Sequence, residues 1–272
     1  MAQRKAGTVM RHGTRILFCL LAGLCLSQPL LAQQVMQRVG GANGPATMEA
    51  MAQLPAPMLA DGTVDLSGVW IDGGTGRAED LLPAGRLQEL MLPATRDKYL
   101  ARDPADDPYN WCMPGGPVRI TGGFAWRFLQ HPTIDATHIF MLQEGNAHTY
   151  RQIFMDGRPH PEDPRPTWYG HSIGHWEGTT LVIDTIGLND IFWLDVGGTV
   201  HTEQLHVVER WTRVDYTTFQ REVTIDDPGA YTEPFTLSYT AKLAQPGSDI
   251  LEYICIENNQ YGVAGGIVDE AE

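Results

Sequence analysis

Residues 168–190 read W-Y-G-H-S-I-G-H-W-E-G-T-T-L-V-I-D-T-I-G-L-N-D. Gly170, Gly174 and Gly178 recur every four residues, a spacing that would penalise a helix, and residues 179–186 form a β-branched run suited to a buried strand. The stretch therefore predicts a β-hairpin with its turn at Glu177-Gly178. The remaining glycines mark bends or places where another backbone or a ligand comes close. Its first arm carries His171, His175 and Trp176, the densest polar-aromatic cluster in the chain.

The same grammar extends in both directions. Strands are predicted at 118–130, 138–143, 148–155, 170–176, 179–187, 203–214, 218–226, 235–243 and 250–257. Turns are predicted at Glu144-Gly145-Asn146, Asp156-Gly157, Asp215-Tyr216 and Pro246-Gly247-Ser248. Phe235, Leu237, Tyr239, Ala241 and Leu243 alternate with Thr236, Ser238, Thr240 and Lys242, which marks one buried face. Upstream, D-L-S-G-V-W-I at 65–71 predicts a first strand, followed by a loop with Gly73, Gly74 and Gly76. A helix is predicted over 84–100, broken or kinked at Pro93, and 103–117 is irregular. The expected fold is mainly β: an antiparallel meander of about eight to ten strands closed into a barrel, because closure removes exposed edges. The division expected is a signal peptide at 1–32, a flexible lead-in at 33–64, a strand, loop and helix excursion at 65–117, and a barrel core at 118–260 in one domain with that excursion.

The leader carries Arg4, Lys5, Arg11 and Arg15 without an acid, then an apolar stretch at 16–26 and a cleavable L-L-A at 30–32. It predicts export to the periplasm or beyond, since about 11 apolar residues fall short of the roughly 20 a membrane span needs. Losing those four charges makes the chain four units more negative than −14, that is −18, which argues against nucleic acid or anionic lipid as partner. Of four cysteines, Cys112 and Cys255 survive removal of the leader. In an oxidising compartment they are most simply one disulfide, with two buried thiols the alternative.

D-L-S-G-V-W at 65–70, C-M-P-G-G-P at 112–117 and P-R-P-T-W-Y-G-H-S-I-G-H-W-E-G-T-T-L-V-I-D-T at 164–185 mark a resemblance, as do H-T-E-Q-L-H-V-V-E-R at 201–210, T-I-D-D-P-G-A-Y-T at 224–232 and L-E-Y-I-C-I-E-N at 251–258. The chain resembles a group of uncharacterised secreted bacterial proteins over most of 65–258, which implies export and no particular reaction. Gly68-Val69-Trp70 on a first strand, before a long excursion and a meander, is similar to lipocalin-like (calycin-type) barrels. That similarity concerns architecture only.

Four residues are candidates for acid-base chemistry. Glu209 shares a strand face with Leu205, Val207 and Trp211, and Glu257 with Leu251, Tyr253 and Cys255. If those faces look inward, desolvation raises the carboxyl pKa values toward a useful range. Glu209 has a structural alternative, an ion pair with Arg151 or Arg221. His171 and His175, flanked by glycines, are candidate proton carriers at a barrel mouth. One metal ion cannot take both, because four residues along a strand separate them by roughly 13 Å, and no metal or cofactor is assigned. His201 and Glu203 lie close enough to share an ion only with help from another strand. Gly170-His171-Ser172-Ile173-Gly174 matches a nucleophile elbow in letters but lacks the strand-to-helix context. Asp226-Asp227-Pro228-Gly229 reads as a capped turn.

Trp126, Trp176, Trp211, Tyr231 and Tyr253 are the candidate ligand-binding aromatics, suited to a flat apolar or aromatic small molecule. Three readings stay open: a small-molecule-binding barrel, a cofactor-independent lyase, isomerase or hydrolase of the same shape, and an envelope interaction protein. Nothing in the sequence signals an oligomeric state.

Overall fold

A computed structural model of the chain describes residues 47–72, 76–130, 137–145 and 149–255. The predicted leader, the lead-in as far as residue 46, Gly73, Gly74 and Glu257 lie outside the described residues. Of the first fifty residues, 47–50 are described, and they open one helical turn, α1 (Met48–Met51). The described residues from Met51 onward form one unit.

That unit is a closed barrel of nine strands in sequence order. They are β1 (Trp70–Asp72), β2 (Trp126–Gln130), β3 (His138–Gln143), β4 (Tyr150–Phe154), β5 (His171–Glu177), β6 (Thr180–Ile186), β7 (His206–Asp215), β8 (Thr218–Asp226) and β9 (Phe235–Leu243). The anchoring hairpin is present, its turn one residue later than expected: Glu177 pairs with Thr180 across Gly178-Thr179. Gly178 has φ 61°, the positive value that tight hairpin turns demand at their first central position. Closure comes from β9, which pairs with β1 through Trp70 and Leu243, Ile71 and Lys242, and Asp72 and Ala241.

One seam departs from the expected antiparallel meander. β4 and β5 run parallel, with Ile153 opposite Ser172 and Phe154 opposite Ile173. The reason is topological. Strand direction must be restored after one circuit, so a closed ring needs an even number of antiparallel pairs. A nine-stranded ring therefore needs at least one parallel pair. Residues 155–170 supply the longer connection that a parallel pair requires.

Other expected strands are shorter or absent. Residues 250–255 are irregular, because β9 already pairs with β1 and leaves no edge for a tenth strand. β1 starts only at Trp70, since Asp65 caps the Ser67 amide and Gly68 sits at φ 125°. The 118–130 stretch begins instead as a helical turn, α4 (Gly116–Arg119), led in by Pro117 near its start. β7 begins at His206 because Thr202 is held by Asp227, which accepts from both its amide and its hydroxyl at 2.6 Å. Pro93 ends one helix and starts the next, α2 (Arg86–Leu90) and α3 (Pro93–Ala101). In the described part of the lead-in Met58 bridges to Val64, which is fully buried.

The barrel interior is filled. One apolar cluster contains Trp70, Trp126, Phe128, Trp211 and Phe219; the other contains Val207, Val223, Leu237 and Phe235 with Leu87, Leu90 and Tyr99 from the helices. Along β7 the inward positions run Val207, Glu209, Trp211; along β8 they run Phe219, Arg221, Val223; along β9, Leu237, Tyr239, Ala241. A polar layer of Glu209, Arg221 and Tyr239 is thus sandwiched between the two apolar clusters.

Candidate functional site

The polar layer is organised by one buried carboxylate. Glu209 is fully buried and pairs with two arginines, Arg151 on β4 and Arg221 on β8, both nearly fully buried. Arg221 donates to Glu209 Oε1 from Nε at 3.1 Å and from Nη2 at 2.8 Å. Its remaining donors reach the Pro117 and Val118 carbonyls at 2.7 and 3.0 Å and Thr121 Oγ1 at 2.9 Å, which ties α4 to the barrel. Arg151 donates to Ser172 Oγ at 3.2 Å and Thr185 Oγ1 at 2.8 Å. Glu209 is therefore committed to ion pairing with both expected arginines, and Ser172 is sealed inside the barrel rather than raised on an elbow.

A cavity of about 150 Å³ is lined by Tyr239 of this layer together with Asp72, Val118, Arg119, Thr121, Leu194, Asp195 and Val196. Its ionisable groups differ in how far they are occupied. Asp195 accepts from the Ala78 amide and from the Thr199 amide and hydroxyl, so it holds two loops together. Arg119 is paired with Asp107 at 2.9 Å and stacks over the Tyr109 ring. Asp72 is less occupied: among the described residues it accepts the Trp126 indole N–H at 3.3 Å. Burial pushes its carboxyl above the usual range, against the lowering influence of Arg221, Thr121 and Trp126. Burial also lifts the Tyr239 phenol to about 12, so it stays a donor at neutral pH.

A raised folded-state pKa on an acid means stability that is full below the unfolded value and lost as pH rises through the folded one. Asp72→Asn is thus expected to raise the melting temperature at pH 7 to 8, and the gain should shrink to nothing below about pH 4, near the unfolded carboxyl pKa. Thermal melts of both proteins across that range check it. A variant less stable than wild type at pH 8 contradicts it.

The sequence candidates fall elsewhere. Trp126 and Trp211 are fully buried and pack edge to face at 5.1 Å in the core, not at a mouth. Trp176 is half-buried against the same cluster. Tyr231 is buried and donates to the Val200 carbonyl at 2.6 Å. Tyr253 lies beside the confirmed Cys112 to Cys255 disulfide, with its ring 5.2 Å from that of Phe124. His175 is exposed beside Glu177 at 3.3 Å.

His171 points outward from β5, stacks on Phe154, and contacts His160 with the two Nδ1 atoms 2.9 Å apart. His160 and His206 both contact Asp184 Oδ1, at 3.1 and 2.7 Å. Among the described residues, no group of three or more His, Cys, Asp or Glu side chains is arranged to hold a metal ion. His201 is buried against Phe192, away from Glu203, which is exposed. Asp227 caps the Gly229 amide at 3.0 Å, as turn chemistry requires.

The outer cluster has a titration signature. The Asp184 hydrogen bond raises the His206 pKa, whereas burial, then His160 and Arg158, lowers that of His171. His206 therefore adds stability that is full below about 6.5 and lost as pH rises through its folded pKa. The neutral form of His171 adds stability that is full above about 6.5 and lost as pH falls through its own. In an NMR titration His206 should titrate above His171, and Asp184→Asn should abolish the gap on the His206 side. Equal midpoints in the wild type contradict the arrangement.

No family model matches the chain, and neither the curated proteins nor the solved structures contain a match to it. Among the described residues no helix is long and apolar enough to cross a membrane.

Proposed function

We propose that this chain is an exported barrel that binds a small, largely apolar molecule with one hydrogen-bonding head, in the cavity between Asp72, Tyr239, Leu194 and Val196. The observation that carries this reading is the cavity itself. It combines apolar walls with a few convergent polar groups, and Asp72 retains acceptor capacity there. The filled interior argues against a central cavity lined by Trp126 and Trp211. The leader pattern and the disulfide support export.

Small ring ketones and alcohols are expected to bind with a Kd of about 1 mM, the scale for ligands of this size. Val196 lies at the rim, 47% exposed, with its amide held by the Gly76 carbonyl at 3.0 Å, so a larger side chain there fills the opening without entering the core. Val196→Trp should weaken binding by about tenfold or more, roughly 1.4 kcal/mol, with little change in melting temperature. Undiminished binding to a folded Val196→Trp protein contradicts the assignment of the site.

A further inference from the structure

We infer that Asp72 is a general base toward carbonyl compounds held in this cavity, taking a proton from the carbon beside the carbonyl while Tyr239 donates to the carbonyl oxygen. The inference rests on the binding reading above and adds a reaction to it.

The geometry separates Asp72 from every other acid nearby. Glu209 is neutralised by two arginines, and Asp195 already accepts from three donors that tie two loops together. A carboxylate offers about four lone-pair positions, and among the described residues Asp72 spends one, on the Trp126 indole. Arg221, locked by Glu209 and two backbone carbonyls, also donates from Nη1 to Thr121 Oγ1 at 2.9 Å, and its fixed charge works against the rise that burial imposes on the Asp72 carboxyl.

Desolvation makes the ionised Asp72 a stronger base than a surface aspartate, and Tyr239 remains protonated to donate. Thr121 is the only hydroxyl besides Tyr239 among the described lining residues, and its oxygen accepts from Arg221 at 2.9 Å. The wall therefore suits proton transfer better than attack by a protein nucleophile.

The step balances without a co-reactant. An Asp72 oxygen takes the proton; the C–H electron pair becomes the new carbon–carbon double bond, and the carbonyl π pair moves to oxygen, where the Tyr239 O–H stabilises it. Return of a solvent-exchanged proton to the same carbon gives hydrogen exchange, and its return to a conjugated carbon gives isomerisation. The class is a cofactor-independent carbonyl isomerase.

The test uses the full chain with cyclohexanone in D2O. Binding is followed by saturation-transfer NMR, and exchange by loss of the signal from the hydrogens beside the carbonyl. The expected result is binding to wild type with exchange about 100-fold faster than with Asp72→Asn, which still binds. Tyr239→Phe, which keeps the ring, should bind and exchange about tenfold more slowly than wild type. Binding by wild type with exchange no faster than in buffer overturns the inference and leaves the binding reading intact. Equal exchange by wild type and Asp72→Asn overturns it too. Absence of binding removes the binding reading, and the inference falls with it.

Discussion

Replacing Glu209 by glutamine is expected to cost the fold about 3–5 kcal/mol, the scale for leaving buried charges uncompensated. The side chain is fully buried between Arg151 and Arg221, and both guanidinium groups are buried with it. An amide keeps the shape and some hydrogen bonding but removes the one negative charge that serves two positive ones. The triple variant Arg151→Met, Glu209→Leu, Arg221→Met is expected to recover much of that loss, because a well-packed apolar layer replaces the ion pairs without a desolvation cost. Part of the recovery will be forfeited, since Arg221 also anchors the Pro117 and Val118 carbonyls. Urea unfolding of the three proteins checks both statements. A Glu209→Gln protein within about 1 kcal/mol of wild type contradicts the charge argument.

The second large effect belongs to the disulfide. Cys112 and Cys255 are 143 residues apart in sequence, with nearly the whole barrel between them. In the chain-entropy account a crosslink of that span restricts the unfolded ensemble by up to about 5 kcal/mol, and measured losses for native bridges run at about 2–5 kcal/mol. The Cys112→Ser, Cys255→Ser double variant should lose stability on that scale while keeping its β-sheet signature, because the β1 to β9 pairing closes the barrel independently of the bridge. Reduction of the wild-type protein should reproduce the loss. A change below about 1 kcal/mol would show that unfolded-state restriction contributes little here.

The barrel was legible because its strands announce themselves locally. β3, β8 and β9 have the bounds that turn residues and alternation predict, and closure follows from the number of strands and the need to hide edges. The parallel seam was not legible, since parity around the ring is a property of the whole circuit and no residue in β4 or β5 encodes it alone. The aromatics misdirect for a related reason. Trp126 and Trp211 alternate with polar residues just as a cavity-lining aromatic would, and only three-dimensional packing distinguishes a filled core from an open one.

Glu209 facing inward was readable from its alternation with Val207 and Trp211. Its pairing with two arginines at once was not, because Arg151 and Arg221 come from strands that only the closed barrel brings together. Asp72 was one residue beyond the expected first strand. The signal that reveals it is its spacing of two from Trp70, which places an acid on the same inward face as the core tryptophan. Thr121 and Val196 lie in loops whose positions depend on the barrel they cover.

The most direct test of the account follows the indole N–H of Trp126, which Asp72 accepts in the cavity wall. In protein labelled with ¹⁵N at its tryptophans, titration with cyclohexanone should shift this resonance in a saturable way. Asp72→Asn should move it in the free protein, whereas Val196→Trp should suppress its response to ligand. If the ketone binds while the Trp126 indole stays still and the solvent-facing tryptophans respond, the site is not the Asp72 cavity and the account is wrong.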